Sequence, residues 1–569
     1  MNFEFSSRWR SRCAVFLPIV LVVYLGHYLR LFDFGLYEDD YWSLVPNLNQ
    51  PLSYLSDVFV GCFRAWPTGR PLNHFLPVAL AIIGFKLGGL AGIYTLACGW
   101  LTLNALLVYG IVRRLFSYPS ALLAAFVYVL FPADTTKILL IHAAHVQGSM
   151  TFLLLGIFLW QSGRVWRWLS YPVLSLSLMS YESAFLPFLA VPLLWAGERN
   201  ATVRTWLLHL SLCAAIVALI AFIRLRTGDV RAGTVVANPS DTLHMLLTSL
   251  YLGPLTSGRM LGEGAWIGIR QIGVVGGIAA AFLAWVVYLL RPTVSLAPER
   301  SAQPLAPIWP DWLARARTEA GRLPWWWIFF AAVLMLSGSY ALTLTNYPPT
   351  QEFGRMTSTH VAAGWGMALA VAALFEGARI NSGKQQLWLI GIVGLWVGAL
   401  LLYQDFNQRE YVRAWRIQQD FWRQVATLSP EAGPDWSIIV TGDVTRQRRV
   451  IASNSWADFH LARELFNPDP TANTPAFAHL GVIGHLVHFE NNDGNWEWNP
   501  RFWGGPPDPL DRNRLILLHS ENGVLHRITA IDTMAGRLES AAPLPDHPRT
   551  FWPKTTLARL LFPEQFLQP

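Results

Sequence analysis

Charged side chains are scarce in this sequence. Of its 569 residues, 14% are Asp, Glu, Lys or Arg, whereas 53% are hydrophobic. A soluble globular protein carries about 25% charged residues, so this composition excludes an ordinary soluble domain. The formal net charge is +7, and the basic residues lie mainly in short segments between apolar runs. Membrane orientation therefore explains the positive charge, and no nucleic-acid partner is expected.

Cysteine and the common nucleotide-binding and hydrolase motifs are also lacking. There are four cysteines and no CxxC pair, which argues against a disulfide framework or a cysteine-bound metal. The sequence has no Walker loop, no Rossmann glycine fingerprint, no GxSxG elbow and no internal repeat. Any chemistry must come from other residues.

Long apolar runs recur through the first 400 residues, and a membrane span needs about 20 of them. We predict an all-α polytopic membrane domain of about eleven transmembrane helices over residues 1–403, and a soluble α+β domain over residues 404–569. The predicted spans are approximately 14–31, 92–112, 119–132, 145–162, 167–180, 183–197, 205–224, 271–290, 325–345, 359–377 and 386–403.

The basic residues predict the topology. An Arg-rich start before the first span, without a small-residue cleavage site, predicts an uncleaved helix with a cytoplasmic N-terminus. Residues 33–91 then form the first outer loop, in which 73–85 is expected to lie at the interface. An odd number of spans places the C-terminal domain outside. The lack of retention signals and of loops rich in Asn-x-Ser/Thr favours a bacterial inner membrane over a eukaryotic organelle.

Three consecutive acids, Glu38, Asp39 and Asp40, follow the first span within ten residues, and we call them the acid cluster. Adjacent carboxylates near a low dielectric raise one another's pKa, which suits a general base or a metal ligand. The plain alternative is a solvated interfacial loop, because the neighbouring Tyr and Trp are typical of that depth.

Cationic and polar residues of the outer segments could bind an anionic substrate. Arg64 and Arg70 offer planar donors for a phosphate or carboxylate, and Arg355 precedes the tenth span. Each could instead be an ordinary ion-paired or snorkelling arginine. The further candidates for substrate binding are Glu38, Lys137, His142, His145, Tyr181 and Glu182.

Three motifs leave alternatives open. His142 and His145 are spaced to share a helix face, where hydrogen bonding is as compatible with the pattern as metal binding. In the C-terminal domain, Trp496, Trp498 and Trp503 could stack on sugar rings or fill a core. The polar positions of the segment His485-Leu486-Val487-His488-Phe489-Glu490 could bind a metal or form the polar face of a strand.

The order of these features resembles the C-type glycosyltransferases, the membrane superfamily that includes protein O-mannosyltransferases, aminoarabinose transferases and arabinofuranosyltransferases. One helix is followed by acids in a long outer loop, by Gly69-Arg70-Pro71-Leu72, and by a helix that ends near Arg113 and Arg114. The resemblance covers residues 14–200 in pattern and 325–400 more loosely, and the region after 404 has no counterpart in it.

The resemblance implies a mechanism. A sugar would pass from a polyprenyl-phosphate donor to an acceptor hydroxyl on a glycan, lipid or protein, with inversion of configuration. Asp39 or Asp40 would be the general base, and some relatives also use a divalent cation, which these two aspartates could hold. Membrane lipids are the expected surroundings.

Two other functions compete with this one. A transporter or lipid-linked glycan flippase usually places ionisable residues inside its spans, whereas here the acids lie outside them. A glycan polymerase or ligase would use lipid-pyrophosphate substrates at the same membrane face. The identity of the donor separates that function from the first.

Overall fold

A computed structural model describes most of the chain, and all structural statements below concern the described residues. They are 15–195, 199–227, 239–271, 323–341, 354–382, 385–433, 435–442, 455–466, 476–480, 487–499, 507–543 and 555–566.

The described chain is mostly helical. Its helices are α1 (Val15–Tyr28), α2 (Asp40–Ser43), α3 (Tyr54–Ala65), α4 (Pro71–Leu115), α5 (Tyr118–Leu130), α6 (Leu140–Trp160), α7 (Arg164–Ser180), α8 (Arg199–Arg226), α9 (Pro239–Arg270), α10 (Trp325–Gly338), α11 (Ala363–Asn381), α12 (Gln386–Leu428), α13 (Ser455–Phe466) and α14 (Thr556–Leu561).

Five of these helices, α4, α6, α8, α11 and α12, are long and apolar enough to cross a membrane. Three shorter apolar helices, α1, α5 and α10, accompany them. The chain is therefore a membrane-embedded protein with several apolar helices, while the count of eleven spans stays a prediction. The expected span 271–290 lies outside the described residues.

Three predicted boundaries differ from the structure. Residues 183–197 were expected to span the membrane, but Glu182–Ala184 and Leu186–Leu194 are 3₁₀ helices. Prolines at 187 and 192 explain this, since each lacks the N–H that an α-helix needs. The expected outer loop 225–270 contains the 32-residue helix α9. Helix α12 continues from the last predicted span through residue 404 to Leu428, across the predicted domain boundary.

Helix α4 is two helical segments joined by a sharp bend. Gly88 and Gly89 have non-helical dihedrals, and Gly89 has a φ of 62° with a ψ of −144° that side-chain-bearing residues rarely adopt. The segments fold back so closely that a Cβ on Gly92 would lie 2.2 Å from the carbonyl oxygen of Gly84. The predicted helix 73–85 thus exists as a separate segment before the bend.

Helix α6 connects two ends of the helical region. Its first turn contacts Asp40, whereas its last turn contacts Arg114, which donates to the carbonyl of Phe158 at 2.7 Å and to Ser162 at 2.9 Å. At about 1.5 Å per residue, the 21 residues of α6 cover about 30 Å, the thickness of a hydrocarbon core. The acid cluster and the basic loop at Arg114 therefore lie at opposite ends, as the predicted topology requires. Which end faces the cytoplasm stays a prediction.

The C-terminal region contains three small sheets. Their strands are β1 (Ser437–Gly442), β2 (Ala476–His479), β3 (His488–Asn492), β4 (Asn495–Asn499), β5 (Asp508–Leu510), β6 (Leu515–Glu521), β7 (Val524–Ile528), β8 (Ala530–Thr533) and β9 (Gly536–Glu539). The main sheet has the order β2-β1-β6-β7, in which β1 is parallel to β2 and β6. The C-terminal region therefore contains strands as well as helices, and the apolar runs at 437–442 and 515–521 form β1 and β6.

The C-terminal half of α12 joins this sheet to the helical region. The ring centroids of Trp422 and Phe477 are 4.8 Å apart, and Gln424 donates to the carbonyl of Gly523 and accepts from the N–H of Leu525. A buried aromatic contact and paired hydrogen bonds make a defined interface. The sheet is therefore held at a definite place beside the acid cluster.

Candidate functional site

Helix α12 holds the segment that carries the acid cluster. The hydroxyl of Tyr37 donates to the carbonyl of Tyr411 at 2.9 Å, and the hydroxyl of Tyr41 donates to Gln418 at 2.6 Å. Between the two tyrosines lie the three acids. Because both rings are buried and hydrogen-bonded, the backbone of the cluster has one defined position.

A left-handed residue turns the chain at the cluster. Glu38 has a φ of 48°, and Trp66 and Thr68 in the same outer loop have φ values of 47° and 50°. Asn and Asp adopt this region readily, and they supply the other non-glycine examples among the described residues. Bulky or β-branched residues in this conformation are strained by about 1–3 kcal/mol, and such strain concentrates at functional sites.

Asp40 is completely buried and caps helix α6. One carboxylate oxygen accepts from the N–H of Ile141 at 2.9 Å, and the other accepts from the N–H of Tyr37 at 3.0 Å. Burial raises the pKa of Asp40 to about 7, against the lowering effect of these backbone donors. Asp40 thus has a structural role in joining the acid segment to α6.

Asp39 has a different environment. Nη1 of Arg355 donates to Oδ2 of Asp39 at 2.5 Å and lies 3.8 Å from Oε2 of Glu38. The side chain of Asp39 is 12% exposed, whereas that of Glu38 is 4% exposed. Burial raises the pKa of Glu38 to about 8, although Arg355 acts in the opposite direction. Asp39 is therefore the more accessible of these two acids and makes the shorter contact with Arg355.

Arg355 is positioned by two short segments. It begins the 3₁₀ helix Arg355–His360, directly after Gly354 with a φ of 84°. The N–H of Gly354 donates to the hydroxyl of Thr135 at 2.9 Å, and this hydroxyl lies 2.8 Å from that of Thr357. The loop before α6 and the segment before α11 therefore support the guanidinium that pairs with Asp39.

A second charged group contains more positive than negative charge. Arg70 donates to one carboxylate oxygen of Glu182, and Nη2 of Arg224 lies 3.3 Å from the other. The guanidinium of Arg70 also lies 5.1 Å from the ring centroid of Tyr181. We call Arg70, Glu182 and Arg224 the cation cluster. Two guanidinium groups share one carboxylate here, which leaves an excess positive charge suited to an anion.

His142 and His145 lie between the acid cluster and the cation cluster. Their ring centroids are 5.3 Å apart on the first turns of α6, so the predicted shared face is confirmed. The ring of His145 is 5.6 Å from that of Tyr181, and its electrostatic neighbours are Arg70 and Arg355. Within the described part of the chain, Nδ1 of each histidine is buried without a hydrogen-bond partner. These nitrogens are enclosed in the protein, so a ligand would reach them only if the surrounding side chains move.

Two predicted site residues lie elsewhere. Lys137 is buried 3.5 Å from Asp134 and donates to the carbonyl of Phe131 at 3.3 Å, and burial lowers its pKa. Its ammonium pairs within its own loop, and the prediction that it binds substrate stays a prediction. Arg64 is exposed on α3. An exposed residue on a separate helix is better explained by solvation.

The aspartates are not arranged as a metal site. Among the described residues, no group of three or more His, Cys, Asp or Glu side chains is placed to hold an ion. Asp39 faces Arg355, and both oxygens of Asp40 accept backbone N–H groups. A divalent cation between them would have to displace these contacts, so we derive no step through a metal.

The C-terminal tryptophans mostly form a core. Trp496 and Trp498 on β4 are 5% and 1% exposed and pack in one cluster with Leu515 and Leu517. These two tryptophans therefore fill a core, which is one of the two alternatives that their sequence pattern left open. Trp503 and His485 lie outside the described residues, and His488 begins β3.

Arg224 and the helix α13 join the site without having been predicted there. Arg224 lies near the end of α8, and α13 packs against α2, which begins at Asp40. A charge pattern could flag Arg224 as an anion ligand but could not connect it to Glu182. Comparison with protein-family models, curated proteins and solved structures finds no match, and the resemblance to C-type glycosyltransferases therefore stays a prediction.

Proposed function

We propose that this protein is an inverting glycosyltransferase that moves a sugar from a polyprenyl-phosphate donor to an acceptor hydroxyl at the outer membrane face. The observation that carries the proposal is the meeting of a buried acid cluster with an excess of guanidinium groups at one end of the apolar helices. Such a site offers a base and an anion-binding surface where a lipid phosphate would lie.

Asp39 is the proposed base. It has an exposed edge, whereas Asp40 caps α6 with both oxygens. A carboxylate oxygen of Asp39 accepts the proton of the acceptor hydroxyl, and the hydroxyl oxygen bonds to the anomeric carbon. The bond from that carbon to the phosphate oxygen breaks, its electron pair stays on the phosphate, and polyprenyl phosphate leaves.

Arg355 links donor binding to activation of the base. Its guanidinium pairs with Asp39 at 2.5 Å. A donor phosphate placed beside it would compete for the same N–H groups, because phosphate and carboxylate both accept from guanidinium. Movement of Arg355 toward the phosphate would release Asp39 from this ion pair and make it a better proton acceptor.

The cation cluster and the two histidines would stabilise the leaving phosphate. Arg70 and Arg224 supply the charge, while the buried Nδ1 atoms of His142 and His145 supply hydrogen-bonding capacity. Charge that develops on the phosphate is stabilised most by groups already held in place, and these residues are held by one another and by α6.

The test uses the purified full chain in detergent with radiolabelled hexose and pentose donors on polyprenyl phosphate, and membrane extract as the acceptor source. We expect transfer and release of polyprenyl phosphate, lowered by roughly 10²- to 10⁴-fold in Asp39→Asn. The matched control is Asp57→Asn, which changes an acid on α3 in the same outer loop.

Three results would contradict the proposal in different ways. Full activity in folded Asp39→Asn would show that Asp39 is not the general base. Transfer only from lipid-pyrophosphate donors would favour a polymerase or ligase. Substrate flux into vesicles that survives the Asp39 change would favour a transporter or flippase.

A further inference from the structure

The C-terminal region contributes a helix to the neighbourhood of the acid cluster. Helix α13 packs against α2, the short helix that begins at Asp40. On α2, the indole of Trp42 has its ring centroid 6.5 Å from that of His460 on α13 and 5.9 Å from that of His74 on α4. Three separate elements thus bring three aromatic rings together, with the indole of Trp42 next to both imidazoles.

The rings of Trp42, His74 and His460 lie next to the proposed base. Trp42 is three positions beyond Asp39, and the carboxylate of Asp39 is an electrostatic neighbour of His460. Trp42 is 36% exposed, whereas Tyr41 beside it is 1% exposed. An indole that keeps a third of its surface open, beside two half-buried imidazoles, is available to a ligand.

The position of His460 is set by the main sheet. Helix α13 connects the parallel strands β1 and β2, and its Leu461, Ala462 and Leu465 are completely buried. Those residues fix one side of α13 in the core, so the half-buried His460 is held at the other side. A second contact, from Asn49 to the hydroxyl of Thr556 at 2.7 Å, also joins the C-terminal region to the first outer loop.

The three rings present both apolar and hydrogen-bonding surfaces. An indole face is apolar, while imidazole nitrogens donate and accept hydrogen bonds. A sugar ring has the complementary surface, with C–H groups on one face and hydroxyls at its edge. Nε2 of His74 already lies 3.2 Å from the hydroxyl of Thr68, so one nitrogen of that ring remains for a ligand. A lipid chain would offer no hydrogen bond to this nitrogen or to the ring of His460.

We propose that Trp42, His74 and His460 form the acceptor-binding wall of the site and that the acceptor is a glycan. The term acceptor rests on the proposed function. The binding of a glycan by these three residues does not depend on it. The sugar ring lies against the indole of Trp42, and its hydroxyls bond the two imidazoles, which brings one hydroxyl toward Asp39. The C-terminal region is then part of the active site.

Glycan binding can be measured without catalysis. Fluorescently labelled full-length protein carrying Asp39→Asn, in detergent, is applied to an array of immobilised oligosaccharides. We expect at least one class of glycan to bind, with a loss of roughly tenfold or more in Trp42→Ala and in His460→Ala. Trp42→Phe and His460→Asn should retain most of the binding, since each keeps part of the contact. The matched control is Trp388→Ala, which removes a 79% exposed tryptophan near the start of α12.

The outcomes separate this inference from the proposed function. No glycan binding by the protein, or binding unchanged in folded Trp42→Ala and His460→Ala, would overturn the acceptor wall. If transfer occurs, a raised acceptor KM with unchanged donor KM in the His460→Ala variant supports it, and an unchanged acceptor KM overturns it. The protein could bind glycan through Trp42 and yet show no transferase activity. That result would contradict the proposed function and would still support a glycan-binding site.

Discussion

Two neighbouring aspartates in the acid cluster have different surroundings, and this difference can be measured. Asp40 accepts the N–H groups of Ile141 and Tyr37, so Asp40→Ala would leave two buried donors unpaired. Loss of a helix cap costs about 1–2 kcal/mol, and we expect a lower melting temperature for Asp40→Ala in detergent. Asp40→Asn keeps one acceptor oxygen and should lie between this variant and the wild type.

The Asp39→Asn variant is the comparison for that experiment. It should keep a melting temperature close to that of the wild type and lose transfer, because the partly exposed carboxylate of Asp39 pairs with Arg355, whereas it is Asp40 that accepts the N–H of Ile141 in α6. The reverse pattern, with a destabilised Asp39→Asn and a stable but inactive Asp40→Ala, would exchange the roles assigned to the two residues.

Glu38 predicts a pH-dependent stability. Burial raises its pKa from 4.5 to about 8, so the folded protein holds a proton that the unfolded chain releases between these values. The contribution of Glu38 to folding stability is therefore fully present below about pH 4.5 and is lost as the pH rises through about 8.

The measurement is the melting temperature in detergent from pH 5 to pH 9. We expect it to fall with rising pH in the wild type and to fall less in Glu38→Gln, which cannot ionise. The raised pKa of Asp40, about 7, acts with the same sign and should leave a residual slope in that variant. Parallel pH profiles for the wild type and Glu38→Gln would contradict a buried, protonated Glu38.

At the scale of elements, the acid segment packs directly against α12 at Gly35. A Cβ on Gly35 would lie 1.8 Å from a ring carbon of Trp415, and the hydroxyl of Tyr94 donates to the carbonyl of Gly35 at 2.7 Å. The segment can therefore approach α12 only with glycine at this position.

Gly35→Ala should destabilise the protein and displace the acid cluster. Overpacking of a core costs about 1–3 kcal/mol, and we expect a lower melting temperature together with reduced transfer. Gly99→Ala is the control, since no heavy atom lies within 4 Å of a Cβ there and its melting temperature should not fall. If Gly35→Ala behaves like Gly99→Ala, α12 does not hold the acid segment.

At the scale of the whole molecule, the two ends of the helical region should face opposite sides of the membrane. Met534 in the C-terminal region is fully exposed, and the exposed Asn381 ends α11 close to Arg379. In a cysteine-free background, a membrane-impermeant maleimide added to intact cells should label Met534→Cys. It should label Asn381→Cys only after the membrane is permeabilised.

Labelling in the opposite order would place the acid cluster in the cytoplasm. A polyprenyl-phosphate donor presented at the outer face would then not reach Asp39. The proposed reaction would have to be replaced by one that uses a cytoplasmic substrate.

Local patterns were enough to predict several features of this protein. Apolar runs predict membrane helices because the bilayer imposes the same requirement on each span by itself. The strands at 437–442 and 515–521 follow from short apolar runs, and the acids of residues 38–40 stand out wherever they lie. The prolines at 187 and 192 are also visible in the sequence, and they indicate that 183–197 is not a continuous α-helix.

The tertiary structure decided how the charged residues are used. Asp39 and Asp40 are chemically identical, and only the position of the α6 N-terminus distinguishes a capping residue from one that meets Arg355. Lys137 and Arg70 are both loop cations, yet one pairs within its own loop and the other joins Arg224 around Glu182. No local pattern predicts these partners, because they depend on how helices far apart in sequence pack.

The contact between α13 and the acid cluster also depends on how distant parts of the chain pack. His460 lies more than 400 positions after Trp42, and its location follows from the pairing of β1 with β2 and from the continuous helix α12. The sequence by itself determined that this is a membrane protein with acids beside its first helix, since hydrophobicity and charge are local properties. The tertiary structure determined which acid, which cations and which C-terminal helix meet, because electrostatic and packing contacts depend on distance in space.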